Sequence, residues 1–273
     1  MTTRTPQPSP RNPDPSICVA LVHNNDQGRN SIIEPNIEDL CEFLGNTRAV
    51  EAIEASYQPD ITPLSPELTL ERKRMLQQVR RDWATYREQD SETYDDPTWI
   101  TSAEQRLGAI EMMLSDKHIR LWSRFLDSSC DFLLCFEDDA IFLHSSEQRL
   151  ADVLKRAQAD GAGANLYADL AGGFGLPSLG LERLFDRKEK DFVYFKKPVT
   201  NTTCSYLLNR PMVRDFAEIL AYQPALRCLP ADWLINKLLV EIERLGRRTV
   251  CFHMEPTVFE HGTAKGVWPS TIK

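Results

Sequence analysis

The chain has 273 residues, 42% of them hydrophobic and 26% charged, with a formal net charge of −8. That is enough apolar material for a real core in one large domain or two small ones, with the charge content of a soluble protein. The acidic balance argues against a nucleic-acid binder held by a broad basic face, and no apolar run approaches the roughly 18 residues that span a bilayer.

The segment Met1–Pro15 is rich in Thr, Pro, Ser and Arg and carries no apolar signal core, so a disordered tail is expected over residues 1–15. Ile17 to Val22 is a nearly continuous apolar run, the mark of a strand buried on both faces. It leads into a polar loop, His23-Asn24-Asn25-Asp26-Gln27-Gly28, with no GxGxxG after it, so a dinucleotide fingerprint is absent. A helix is predicted from Asn36 to Leu44, stopped by Gly45. A second begins at Ser65-Pro66-Glu67 and runs to about Arg87. Its bases (Arg72, Lys73, Arg74, Arg80, Arg81, Arg87) read either as a solvated face or, over residues 71–87, as a peripheral contact with an anionic membrane surface or acceptor. Glu88 to Asp96 reads as a mobile loop.

Ser102 to Asp127 gives the clearest helical signal, because Ala103, Leu107, Ile110, Leu114, His118, Leu121 and Phe125 fall at spacings of three and four. His118 lies on that stripe and reads first as a satisfied core histidine. A buried strand, Phe132–Phe136, follows and runs straight into Glu137-Asp138-Asp139 before apolar residues resume. Three like charges beside a core strand cost free energy through repulsion and desolvation unless a cation offsets them. The segment is therefore either a strand end with a solvated acidic turn or a site for a hard divalent ion. In an extended segment Glu137 and Asp139 would point the same way and Asp138 away.

Further on, a helix capped by Ser145 or Ser146 runs to Gly161, a strand spans Asn165–Leu170, and Ala171–Gly180 is Gly-rich and flexible. Strands at Phe192–Phe195 and Thr203–Leu208 precede a helix from about Asn209 to Ala221. Pro230-Ala231-Asp232-Trp233 opens a helix to Leu245, and Thr249–Phe252 is a last short strand. Asp232 is either a plain cap or, kept ionised by the helix start, a base for an acceptor hydroxyl. Alternating strands and helices predict an α/β fold: a single Rossmann-like domain over residues 16–273, with a mostly parallel central sheet flanked by helices and a variable helical region at about 31–100. The cysteines (Cys18, Cys41, Cys130, Cys135, Cys204, Cys228, Cys251) are odd in number and lack a CxxC pair. They read as reduced thiols of a cytoplasmic protein, not as a disulfide frame or zinc site.

Three blocks in this order resemble glycosyltransferase family 25, the lipooligosaccharide and procollagen galactosyltransferases. They are His118 four residues before Trp122 and then Glu137-Asp138-Asp139; Thr203-Cys204-Ser205-Tyr206-Leu207-Leu208; and Pro230-Ala231-Asp232-Trp233. The tail from Pro256 through Gly262 to Ser270 resembles that of related GT-A enzymes. The resemblance implies a GT-A fold, a nucleotide-sugar donor such as a UDP-sugar, Mn²⁺ or Mg²⁺, inversion at the anomeric carbon and a glycan or lipid-linked glycan acceptor, with the enzyme cytoplasmic or peripheral at the inner membrane. By position it assigns Glu137, Asp139 and His261 to the metal, Asp138 to the donor sugar and Asp232 to the acceptor. Asn24 and Lys265 are further candidates for the donor, Lys265 being equally well a solvated lysine and His261 a surface histidine. The departures are Lys117, where the family has Ser, and the loop His23–Arg29, where it has Asn-Leu-Asp-Arg. A metal-dependent phosphohydrolase or nucleotidyltransferase, or an inactive carbohydrate-binding protein, is the alternative. The transferase reading requires the acidic triplet, Asp232 and His261 to converge in one pocket.

Overall fold

The computed structural model describes residues 14–56, 61–87 and 100–269, the side chain of Ser178 excepted. The expected tail up to residue 13, the expected loop 88–96 and Ser270 lie outside the described residues. The strands are β1 (Ile17–His23), β2 (Val50–Ser56), β3 (Phe132–Glu137), β4 (Ala140–Phe142), β5 (Asn165–Asp169), β6 (Phe185–Glu189), β7 (Phe192–Phe195), β8 (Ser205–Asn209), β9 (Thr249–Met254) and β10 (Phe259–His261). The helices are α1 (Gln27–Gly45), α2 (Pro66–Tyr86), α3 (Ser102–Asp127), α4 (Ser146–Asp160), α5 (Arg210–Tyr222) and α6 (Ala231–Arg244).

Eight strands form one sheet in the order β2-β1-β3-β8-β5-β9-β7-β6. β1 runs parallel to β2 and β3, and β5 parallel to β9, while β8 is antiparallel to both its neighbours. Every residue of β1 is buried, as its unbroken apolar run requires, and alternate residues serve opposite faces. Cys18, Ala20 and Val22 join one core with residues of α2, α3, α5 and α6; Ile17, Val19 and Leu21 join a second with α1 and α4. The result is the α/β sheet flanked by helices that the alternation predicts, but mixed: β7 is also antiparallel to β9 and β6, so the parallel pairings are β1 with β2 and β3 and β5 with β9.

Two expectations need correction. Helix α1 starts at Gln27, nine residues before Asn36, because the Asp26 side chain caps it by accepting from the amides of Gly28 and Arg29. Pro35 lies inside this helix instead of preceding it. The region 31–100 is not wholly helical either: Val50–Ser56 is an edge strand paired in parallel with β1, its buried side chains limited to Ile53 and Ala55.

The small sheet of β4 and β10 has a large consequence. Its antiparallel register sets His261 opposite Ala140, next to the acidic turn. Phe136, Phe142 and Phe259 hold it there, with ring centroids 4.8–5.2 Å apart.

Arg210 ties the far end of α3 to the sheet. Its guanidinium donates to the carbonyls of Phe125, Leu126, Ser128 and Cys130 at 2.6–3.2 Å and lies over the Phe125 ring. A cation there satisfies the open carbonyls of a helix C-terminus. Arg210→Ala is expected to lower the unfolding free energy by about 2–4 kcal/mol in a urea titration. Arg210→Lys should recover less than half of that loss, because an ammonium cannot span so many carbonyls.

Candidate active site

β1, β3 and β5 end, and β8 begins, at the same edge of the sheet, where open α/β sheets hold their ligands. A cavity of about 290 Å³ lies there. Asn24, Glu137, Asp138, Asp139, Asp232 and His261 all line it. Lys265 does not: it is exposed and sits 3.4 Å from Glu260. Among the described residues none from 31–100 lines the cavity.

The chain turns between Glu137 and Ala140, so Glu137 and Asp139 do not share a face as an extended segment would place them. Each acid meets its own partner. Glu137 Oε1 lies 3.0 Å from Nε2 of the fully buried His118, whose Nδ1 lies 2.8 Å from Tyr206 Oη. The Trp122 indole N–H donates to the same hydroxyl at 3.1 Å. With a neutral imidazole protonated at Nε2, Trp122 donates to Tyr206, Tyr206 to His118, and His118 to the Glu137 side chain. His118 is thus satisfied at both nitrogens, as a core histidine should be, and its satisfaction orients a cavity carboxylate. Residues from two of the separate sequence blocks meet in this one chain of hydrogen bonds.

Asp138 is paired with Arg29, at 2.8 Å, and accepts from the Asn24 amide at 3.3 Å. Burial raises its pKa, opposed by the Arg29 guanidinium. Arg29 also donates to the Pro269 carbonyl at 2.5 Å and lies over the Trp268 ring, joining α1 to the C-terminal segment. Fully buried Lys117 donates to the His23 carbonyl at 2.7 Å and to the Asn24 side chain. Burial pushes its pKa down to about 8, with Asp138 and Glu137 pulling the other way. Arg29 and Lys117 were invisible as site residues in the sequence, because one sat in an apparent loop and the other beside an apolar helical stripe.

Asp139 Oδ2 lies 3.1 Å from His261 Nδ1 and accepts from the Thr263 amide at 3.3 Å. Burial would raise the Asp139 pKa, but the His261 contact holds it at about 2. Burial alone would lower the His261 pKa, and the Asp139 carboxylate holds it above its ordinary value. Gly262 donates from its amide to the Asp139 carbonyl at 2.9 Å. A Cβ there would lie 2.6 Å from that carbonyl and closer still to Trp268, so only glycine permits the approach.

Asp232 is the second residue of α6, not its cap; Pro230 takes that place. Its carboxylate accepts from the Trp233 amide at 2.8 Å. Burial raises its pKa to about 6, the Trp233 amide opposing and the charges of Glu111 and Glu137 adding to the rise. The wall behind it is braced from α3 and α2. Ser115 donates to the Leu229 carbonyl, and buried Arg72 donates to the Cys228 carbonyl and pairs with Glu111. Lys73 pairs with Glu104, Arg80 lies over Trp233, and Arg87 donates to the Leu179 carbonyl. The basic helix therefore spends much of its charge inside the molecule. Phe174 stands at the cavity lip, 61% exposed, on a backbone clamped by Asn201.

Much of the electrostatic cost that suggested a metal is met by Arg29, His118 and His261. One observation still leaves room for a cation: Asp139 Oδ1 is buried and accepts from no nitrogen or hydroxyl donor among the described residues. Asp139 and His261 would offer such an ion an oxygen and a nitrogen ligand. Glu137, held by His118, stands outside the group of Asp139, Cys204 and His261 whose ligand atoms lie within 4.8 Å of one another.

The raised pKa of Asp232 carries a stability prediction. Below about pH 4 the group is protonated in folded and unfolded chains alike. From there to about pH 6 the folded chain holds the extra proton, so stability falls as pH rises. Asp232→Asn, which mimics the protonated acid, is expected to stabilise the protein by about 1–3 kcal/mol at pH 7.5. Chemical denaturation should show that gain vanishing at pH 4.

No family model matches the chain, and no curated protein matches it in sequence. The resemblance to glycosyltransferase family 25 therefore rests on the three short blocks. Among solved structures, a glycosyltransferase involved in the glycosylation of the major capsid of PBCV-1 is similar over 90% of this chain and 92% of that one, at 11% identity and a TM-score of 0.44. A likeness of that size carries no argument about activity.

Proposed function

We propose that this protein is a metal-dependent glycosyltransferase. It moves a sugar, galactose being the first candidate, from a nucleotide-diphosphate donor such as a UDP-sugar to a glycan or lipid-linked glycan. The observation that carries the reading is the shared cavity, in which Asp139 and His261 share walls with Asp232. Among the described residues no helix is long and apolar enough to cross a membrane, so a lipid-linked acceptor would be met at its surface.

A divalent ion, Mn²⁺ or Mg²⁺, held by Asp139 and His261 would offset the charge that grows on the departing diphosphate. The remaining steps belong to the chain. Asp232 accepts the proton of the acceptor hydroxyl, and its pKa of about 6 leaves it ionised at neutral pH yet still basic enough for the task. The acceptor oxygen then bonds to the anomeric carbon as the carbon–diphosphate bond breaks, with inversion. Asp138 faces the donor sugar from the cavity wall and, through Arg29, holds α1 and the C-terminal segment around it. Asn24, fixed by Lys117, is placed at the same wall.

The alternatives fit less well. Two-metal phosphohydrolases and nucleotidyltransferases need a second set of ligands; among the described residues a single metal-competent group converges. An inactive sugar binder gives no reason for a half-buried aspartate with a raised pKa at the cavity wall.

UDP with Mn²⁺ should raise the melting temperature, by an amount equivalent to about 2.7 kcal/mol at a hundredfold excess over Kd. Asp139→Asn should abolish the metal-dependent part of that shift. No shift with any nucleoside diphosphate and metal would contradict the reading. With an active donor–acceptor pair, Asp232→Asn should cut kcat by about 10²–10⁴ while leaving the UDP shift in place. In the wild type, kcat/KM should rise with pH through about 6 as Asp232 ionises.

A further inference from the structure

Three side chains of different chemistry meet beside the cavity. Asp139 brings a carboxylate from the acidic turn, His261 an imidazole from β10, and Cys204 a thiol from the residue before β8. One ligand atom from each lies within 4.8 Å of the other two, and no other such trio of His, Cys, Asp or Glu converges among the described residues. Cys204 is fully buried, and its carbonyl accepts from the Glu137 amide at 2.8 Å, which locks the thiol's backbone to the acidic segment. Asp139 itself is only 4% exposed. The thiol of Cys204 lies against this carboxylate as a hydrogen-bond partner, so the sulfur and the carboxylate already face each other.

We propose that Cys204 is the third protein donor beside Asp139 and His261, so that the site takes Zn²⁺ in preference to Mn²⁺ or Mg²⁺. The proposal rests on the divalent-ion reading above and goes beyond it in naming the thiol and the ion it selects. Oxygen ligands alone suit the hard ions; a sulfur donor moves a site toward Zn²⁺ and Co²⁺. One sulfur, one nitrogen and one oxygen with a position left for a non-protein ligand is a composition suited to a catalytic zinc site. The thiolate is the ligand, so binding sends the Cys204 proton to solvent. Cysteine spacing gave no hint of such a site, because residues 139, 204 and 261 are brought together by the fold alone.

The test is an anaerobic titration of the full chain with Co²⁺ as a coloured substitute for Zn²⁺. One equivalent should bind and produce a near-ultraviolet thiolate-to-cobalt charge-transfer band. One equivalent of Zn²⁺ should remove that band, and a large excess of Mn²⁺ or Mg²⁺ should not. Cys204→Ser should lose the band and bind Zn²⁺ more than about 100-fold more weakly, beyond what loss of an outer partner costs. His261→Ala should lose the band as well, which ties it to this trio among the seven cysteines. If Cys204→Ser fails to fold by circular dichroism, the wild-type spectrum and His261→Ala decide. Cobalt binding without a thiolate band, unchanged Zn²⁺ affinity in Cys204→Ser, or displacement of Zn²⁺ by equimolar Mn²⁺ would overturn the proposal while leaving a metal on Asp139 and His261. Failure of every divalent ion to bind would overturn both.

Discussion

Burying consecutive carboxylates at the end of a central strand is the constraint on which this molecule is built. Asp138 and Asp139 are each less than a tenth exposed, and Glu137 beside them is half-buried. Desolvated charge of that density is tolerable only when each group has its own partner. Three elements supply them. Helix α1 delivers Arg29 to Asp138, α3 delivers His118 to Glu137, and β10 delivers His261 to Asp139. The placement of α1, the depth of α3 and the small second sheet all follow from that need.

The compensation is unequal, and the inequality is where chemistry can enter. Glu137 is fixed through a continuous hydrogen-bond chain to Tyr206 and Trp122, and Asp138 through a short ion pair. Asp139 has one oxygen answered by His261 and the other by no nitrogen or hydroxyl donor among the described residues. Across the cavity, burial and two like charges leave the ionised form of Asp232 less favourable than in water, against the backbone amides of Trp233 and of its own residue. Of the two carboxylates the proposed reaction uses, Asp232 is the one whose charge is disfavoured in place, while His261 keeps Asp139 ionised. That pattern separates a site from a merely acidic surface.

Much of this fold could be read from local signals. The amphipathic stripe of α3, the cap and proline that open α2, and the unbroken apolar runs of β1 and β3 each state their structure within a few residues. The short strands could not be read, because β2 buries only Ile53 and Ala55 among glutamates, and β4 and β10 are three residues each. The start of α1 was hidden behind Pro35 and a polar stretch that looked like a loop. The candidate site was legible in its acids, not in their partners. Arg29 reaches Asp138 across 109 residues, and Thr263 reaches Asp139 across 124. Nothing within the triplet itself tells which acid will be matched and which left open.

The central claim is that Asp139 and His261, without Glu137, hold a cation beside a diphosphate. Crystals grown with UDP and Mn²⁺, measured on either side of the manganese absorption edge, address it directly. The account predicts one anomalous peak bonded to Asp139 and His261, beside the diphosphate, with Glu137 still against His118. A peak on Glu137, or bound UDP with no peak at Asp139, would contradict it.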